Sequence, residues 1–344
     1  MATVHVLTQY IWPDAAPTGL YAEQLAARIE QNGGRVTLVG GRGGYRDLQR
    51  CRPLSEIVHL EHYRGCRGSL SQTFAEYAAV TSAFRNYIKR FVRQDDVVIV
   101  TSAPPNTVTL AKAIRRRGAR CIYWLQDYYP ELVRGLYEYP APLRKAFRGF
   151  WDHQLAQWDR VVKIGANLAG PAHNSIVIRN WPTMSFDEPN PPPEPRTAIY
   201  SGNLGYGHDV ELLVEACGKL RTVGYRVSMR SDGRGAWRLP AWLQPLPLEN
   251  NPFKLREDLL RHEVHLVAAN PKITQALFPS KIWNSLAAGR RLVCTGFAGE
   301  MAVELEASKT APFQRHLEQW THLINATQNF DQPGRVASLE PALA

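Results

Sequence analysis

Short apolar runs alternate with helix-length amphipathic segments along this chain, and the alternation breaks once, at PTMSFDEPNPPPEPR (182–196). That stretch is dense in proline and acid and poor in apolar residues, so it reads as a stiff linker. Alternation of buried strand and helix implies a parallel sheet with helices on both faces. Two such series imply two doubly wound α/β domains joined by a hinge. The limits read from the pattern are 1–183 for the first domain, 184–196 for the linker and 197–310 for the second domain. A final helix over 311–327 and a loose tail over 328–344 complete the chain of 344 residues, in which each half is long enough for its own core.

In the first series VHVLTQY (4–10) is the opening strand. A loop with two prolines and a glycine follows, then a helix over 20–31 with Ala22, Leu25, Ala26 and Ile29 at helical spacing. Thr18 and Gly19 then stand at the helix N-terminus, where a glycine admits close approach of another molecule. RVTLVGG, IVHLEHY, DVVIVTS, RCIYWLQD and RVVKIG read as further strands, with helices near 71–92, 106–117 and 141–158. The last of these carries Arg144, Lys145 and Arg148 beside Phe147, Phe150, Trp151 and Trp158. That pattern fits either a helix packed on the sheet or one lying in a membrane interface.

In the second series TAIYSGNLG, YRVSMRSDG, HEVHLVAAN and RLVCTG read as strands, with a helix over 208–220 and another inside FPSKIWNSLAAG (278–289). Pro279 suits a first helical turn, Ser280 is a capping residue type and Gly289 is a natural C-terminal stop. A turn that opens a helix after a parallel strand directs free N–H groups and a positive dipole end outward. With Lys281 this makes a candidate phosphate site; the alternative is an ordinary connecting helix with a surface lysine. Phe313, Leu317, Trp320 and Ile324 fall on one face of the final helix.

A composition of 44% hydrophobic and 21% charged residues fits a globular protein. No apolar run approaches the roughly 18–20 residues of a membrane span, and the opening MATVHVLTQYIWP lacks a basic leader before an apolar core, so the expected location is the cytoplasm. The formal charge is +10, and all of it lies in the first half. Residues 1–183 carry 24 Lys and Arg against 14 Asp and Glu; residues 184–344 carry 17 of each. An anionic partner for the first half follows, whether a membrane surface or a lipid pyrophosphate. No nucleic acid is expected, since no recognition motif accompanies the charge. Five scattered cysteines argue against a disulfide framework. Cys51, His59, His62 and Cys66 are all possible zinc ligands, but their spacing matches no common finger, and the two histidines would face opposite sides of a strand.

Four segments, taken in order, carry a resemblance: PDAAPTG (13–19), QDYYPEL (126–132), YSGNLGYGHD (200–209) and FPSKIWNSLAAGRRLV (278–293). Together they resemble the retaining glycosyltransferases of GT-B architecture, in the family-4-like branch that builds bacterial capsule, exopolysaccharide and O-antigen. The resemblance covers nearly the whole chain. It implies two Rossmann-like domains facing each other across a cleft, and metal-independent hexosyl transfer with retention. The donor implied is a nucleoside diphosphate sugar, UDP-linked, and the acceptor a saccharide or lipid-linked one at the inner membrane face. No cofactor is implied, and the Asp-x-Asp triplet of metal-dependent relatives is absent.

Carried onto this chain, donor binding falls to Thr18, Gly19, Gly202, Asn203, His208, Leu248, Phe278, Pro279, Ser280, Lys281 and Asn284. Acceptor binding falls to Tyr10, Asp127 and Glu131, and catalysis to Asp127 and Lys281. Asp127 follows an apolar strand at its C-terminal end, where ligands sit in open α/β sheets; its alternative role is to cap the helix that Pro130 and Glu131 open. Two positions depart from the family. A Glu-x7-Glu pair is replaced by Ala276 and Asn284, and Asn284 keeps the capacity to bond ribose hydroxyls without the charge. His208 stands where a lysine often does, which would make phosphate binding pH-sensitive. A UDP-sugar epimerase of the same architecture and a non-catalytic partner subunit are the alternatives, the second prompted by the missing glutamates.

Overall fold

A computed structural model describes residues 2–14, 16–41, 52–62, 64, 69–186 and 190–328. The first half runs β1 (Thr3–Tyr10), α1 (Pro17–Gln31), β2 (Arg35–Gly41), β3 (Glu56–His59), α2 (Leu70–Phe91), β4 (Val97–Thr101), α3 (Ala111–Arg115), β5 (Arg120–Leu125), α4 (Tyr129–Leu136), α5 (Ala141–Leu155), β6 (Arg160–Lys163) and β7 (Ser175–Val177). The second half runs β8 (Glu194–Ser201), α6 (Val210–Thr222), β9 (Arg226–Arg230), α7 (Pro252–Arg261), β10 (His262–Ala268), α8 (Lys281–Ala287), β11 (Arg291–Thr295), α9 (Glu300–Lys309) and α10 (Phe313–Gln328).

Val97, Val98, Ile99 and Val100 of β4 and Ile122, Tyr123, Trp124 and Leu125 of β5 are all fully buried. Continuous apolar runs of this kind belong to parallel strands covered on both faces. The first sheet has the order β3-β2-β1-β4-β5-β6-β7 and the second β11-β10-β8-β9, with parallel pairing throughout. Chain direction across the sheet reverses between β1 and β4 in one and between β8 and β10 in the other. Ligand sites in open parallel sheets form beyond the strand C-termini at such reversals. The segments so placed are those after β1, β4 and β5 on one side and after β8 and β10 on the other.

The two sheets are bound to each other near these ends. Asp127 forms an antiparallel bridge with Leu277, and the Tyr128 N–H donates to the Ala276 carbonyl at 2.6 Å. Asn167 Nδ2 donates to the carbonyls of Thr274 at 2.6 Å and Leu277 at 3.0 Å. One apolar core runs from the first sheet through Phe278, Ile282, Trp283 and Met301 into α10, where Trp320 meets Trp124 at 4.7 Å between ring centroids. A separate core fills the second sheet around Tyr200, Leu213, Met229 and Leu266.

Glu304 of α9 is 2% exposed and forms a further tie between the halves. It accepts from Arg179 Nε at 2.5 Å and Nη2 at 3.1 Å, and from the Ala166 N–H at 3.1 Å. Removing one partner of a buried pair leaves the other uncompensated. Because Arg179 is partly exposed, Glu304→Ala is expected to destabilise the fold by about 2–3 kcal/mol in urea unfolding, at the low end for buried pairs. An unchanged midpoint would mean that the pair is incidental.

Several expectations shift. β8 starts at Glu194, so the last residues of the proline-rich stretch are strand; 187–189 lie outside the described residues. α1 begins at Pro17 rather than near 20, because a proline at the first position has no N–H to leave unpaired. The 106–117 helix divides into a 3-10 turn (Pro105–Leu110) and α3. The 141–158 helix stops at Leu155, and the Trp158 indole N–H, in the turn beyond, donates to the Val108 carbonyl at 3.0 Å. α7 and α9 were not anticipated. Cys51, Cys66 and the tail from 329 lie outside the described residues. Among the described residues no group of three His, Cys, Asp or Glu could hold a metal, and no helix is long and apolar enough to cross a membrane.

Candidate functional site

A cleft of about 750 Å³ lies between the C-terminal ends of the two sheets. Pro17, Leu20, Tyr21 and Asp127 line it from the first half, and Gly202, Asn203, His208, Leu248, Phe278, Pro279, Ser280, Lys281 and Asn284 from the second. Nine of the eleven donor-side positions named from the sequence therefore border one space.

Lys281 opens α8 and turns toward the end of β8. Its Nζ donates to Tyr200 Oη at 2.7 Å and to the Asn203 carbonyl at 3.3 Å, and lies 3.1 Å from His208 Nε2 and 4.4 Å from the Tyr200 ring centre. All these neighbours are neutral groups, and no carboxylate pairs with Lys281 among the described residues. Burial without a counter-charge therefore lowers its pKa to about 7. Gly202 makes this crossing feasible, since a Cβ there would collide with the Lys281 side chain, and its φ of +146° suits glycine.

His208 corrects an expectation. Burial first, then the Lys281 charge, holds its pKa well below the ordinary histidine value. The imidazole is neutral, bonding Gly205 O through Nδ1 at 3.3 Å and accepting from Lys281 through Nε2. The group that titrates near neutrality is Lys281.

The helix start differs in detail from its sequence reading. Ser280 occupies the N-cap position with helical backbone angles, and its side chain makes no capping bond. Gly289 does end the helix, at φ +66°. Its N–H bonds Leu286 O at 3.0 Å and the Arg290 N–H bonds Ser285 O at 3.4 Å, the paired bonds of a Schellman stop. Of the loop after β8, the N–H groups of Gly202 and Leu204 already donate to Arg230 O and Asp232 O; the Asn203 N–H has no partner among the described residues.

Asn284 has a structural partner that its sequence reading did not include. It borders the cleft, but its Oδ1 accepts from the Thr183 N–H at 2.8 Å and its Nδ2 donates to Thr183 Oγ1 at 3.0 Å. These bonds tie Asn284 to the start of the interdomain crossover and use one of the two N–H donors and one of the two acceptor lone pairs of its amide. Ala276 is fully buried against Leu132 and Ile273, where a glutamate side chain would have no water.

Thr18, Gly19, Tyr10 and Glu131 do not border the cleft. Thr18 Oγ1 donates to Gln126 Oε1 at 2.9 Å. Gly19 lies against the Tyr10 carbonyl, where a Cβ would clash, so its glycine serves the packing of α1 on β1. Glu131 is 4% exposed and is paired with Arg134 and Arg148.

Asp127 faces the cleft from the end of β5. Its N–H and that of Gln126 both donate to Ser102 Oγ, at 3.0 and 3.1 Å, which fixes the turn. Its carboxylate accepts no hydrogen bond among the described residues, and burial raises its pKa to about 6. Burial first, then the Asp127 charge, keeps the Tyr129 hydroxyl protonated; Tyr77 is raised by burial, Glu76 and then Asp127. Tyr77, Tyr129, Tyr200, Ser102 and Thr183 escaped the sequence reading. Only Ser102 and Tyr200 had a signal there, as polar residues closing apolar strands.

The architecture is GT-B, two Rossmann-like units about one cleft. The chain superimposes on sucrose-phosphate synthase from Thermosynechococcus elongatus with a TM-score of 0.60 and 12% identity, covering 86% of this chain and 81% of that one. On the catalytic domain of starch synthase IV from Arabidopsis thaliana, a structure bound to ADP and acarbose, it reaches 0.59 with 9% identity over 95% and 99%. In sequence it is 26% identical over 254 residues to WcaI of Escherichia coli (strain K12), described as a colanic acid biosynthesis glycosyl transferase. That alignment takes in 64% of this chain and 62% of WcaI, so the chain spans less than two thirds of that relative's length. No family model matches the chain.

Proposed function

We propose that this chain is a retaining glycosyltransferase that moves a hexosyl group from a nucleoside diphosphate sugar, UDP-linked, to a saccharide or lipid-linked acceptor. Its place would be bacterial surface polysaccharide or glycoconjugate assembly at the inner membrane face. The observation that carries this reading is Lys281, a cation without a counter-ion among the described residues, in a cleft whose other half presents Asp127. The sequence likeness to WcaI supports the reaction class, and the ADP-bound GT-B neighbour supports a nucleotide donor.

The chemistry follows from the charges. As the bond from the anomeric carbon to the diphosphate oxygen breaks, the leaving group gathers negative charge and the sugar becomes oxocarbenium-like. Lys281 meets that charge; the N–H groups of Ile282 and Trp283 in the first turn of α8 already donate to Pro279 O at 3.4 Å and Ser280 O at 3.3 Å. The acceptor oxygen bonds the same face of the anomeric carbon, and its proton passes to the departing phosphate oxygen, so no protein nucleophile is needed. Asp127 positions the acceptor by accepting from a hydroxyl next to the reacting one. No metal or other cofactor enters these steps.

A panel of UDP-, GDP- and dTDP-sugars tests the reading. A donor at about 100 times its Kd stabilises the folded state by about 2.7 kcal/mol, a rise of several degrees in Tm. With that donor, mass spectrometry is expected to show one hexose added to a lipid-linked saccharide. Sugar interconversion without acceptor would replace this reading with an epimerase. Absence of any donor binding would favour a non-catalytic subunit, the reading that the engaged Asn284 and closed Ala276 favour.

A further inference from the structure

We propose that the outer stripe of α5 is the surface by which this chain lies on an anionic phospholipid bilayer. The sequence left two roles open for this helix, and burial separates its faces. Phe147, Trp151 and Leu155 form the inward face: Trp151 and Leu155 are buried, and Trp151 lies 5.4 Å from the Tyr129 ring centre. On the outside Leu143 is 60% and Phe150 51% exposed, with exposed Ala146 between them at i, i+3, i+7 spacing. Tyr137, four residues before the helix, is also 59% exposed.

The charges beside the patch select the partner. Arg134 and Arg148 are already paired with buried Glu131. Arg144 and Lys145 are exposed and have no acidic partner among the described residues, so they are the cations left for an external anion. An aliphatic and aromatic stripe on a helix whose exposed first turn also carries two cations without an acidic partner among the described residues matches the headgroup–acyl boundary of an anionic leaflet, apolar below and negative above, the long Arg144 and Lys145 side chains reaching it from the flanks of the helix. Position agrees with this. α4 starts at the cleft edge next to Asp127, and α5 carries the chain back toward the start of β6. The first turn of α5, with Leu143, Arg144 and Lys145, therefore lies toward the C-terminal ends of the strands of the first sheet, the side on which the cleft opens. The inference gives the membrane-face reading above a defined surface and rests on it for why a lipid surface matters; the binding itself needs no sugar nucleotide.

Flotation with vesicles of phosphatidylcholine alone, and with roughly one third phosphatidylglycerol, tests it. The full chain is expected to float with the anionic vesicles only, and less so as salt rises. Leu143→Glu with Phe150→Glu, and separately Arg144→Glu with Lys145→Glu, are expected to reduce the bound fraction about tenfold. Because these side chains are exposed, circular dichroism and donor-induced Tm shifts should match the parent; Leu143→Ala with Phe150→Ala is the milder form should the glutamates disturb folding. No binding by the parent chain, or equal binding by both double variants, overturns the proposal. So does loss of self-association in sedimentation by the same variants, which would make this face a contact between copies. Vesicle binding without any donor binding would leave the surface standing and remove the glycosyltransferase reading.

Discussion

Lys281→Ala is expected to weaken binding of the nucleoside diphosphate sugar roughly 10- to 150-fold, equivalent to the about 1.5–3 kcal/mol carried by hydrogen bonds to charged groups. The lysine sits beside Tyr200, Asn203 and His208, none of them an anion. A bound diphosphate supplies the missing charge and raises the lysine pKa from its free value of about 7. Above pH 7, binding must therefore take up a proton, and affinity falls with rising pH, by up to about tenfold per unit while the bound form stays protonated. Titration calorimetry in buffers of different ionisation enthalpy reads this uptake directly. Affinity independent of pH between 7 and 9 would sink the assignment.

The sign for stability is the opposite. In the free protein the folded-state pKa lies below the unfolded value of 10.5, so between about pH 7 and that value the unfolded chain binds more protons. The ligand-free fold gains stability as pH rises through this window. Lys281→Met should remove that gain and stabilise the empty protein at neutral pH while abolishing donor binding. Stability and function then part at one residue, as they do where a charge is held ready for a ligand.

Most of the sheet architecture was legible because buried parallel strands are apolar runs: β4 and β5 are nearly continuous, and β1 and β10 are interrupted by His5 and His265. α9 was not legible, since its inward face includes Glu304 and Ser308 beside Met301 and Leu305, and an apolar period cannot register a buried ion pair whose partner is 125 residues away. α7 begins with exposed Phe253 and buries only adjacent Leu259 and Leu260, a pattern without a helical stripe. Within the cleft, Lys281 and Gly202 were legible from turn chemistry and resemblance. The role of Asn284 was not, because it depends on Thr183, 101 residues away. Gly19 was rightly singled out as a place needing glycine, but the group that approaches it is the Tyr10 carbonyl of its own chain.

Asp127→Asn should separate acceptor chemistry from donor binding. The carboxylate faces the cleft without a hydrogen-bond donor among the described residues, and burial raises its pKa to about 6. An acceptor hydroxyl next to the reacting one would supply a donor. Since only the ionised form accepts through both oxygens, kcat/KM is expected to rise as pH increases through 6, and to fall above 7 as Lys281 loses its proton. Asparagine keeps the shape but cannot ionise, so kcat should fall about 10²-fold, the scale of a misplaced reactant, and the acid limb should vanish. Donor affinity should stay within about threefold of the parent, because Lys281 is untouched. Ser102→Ala provides the contrast. It leaves the N–H groups of Gln126 and Asp127 without their acceptor, so it should lower kcat by misplacing the carboxylate while the acid limb remains near pH 6. If Asp127→Asn preserved the acid limb, the ionisation near pH 6 would belong to another group, and Asp127 would be reduced to a residue of the turn that joins β5 to α4.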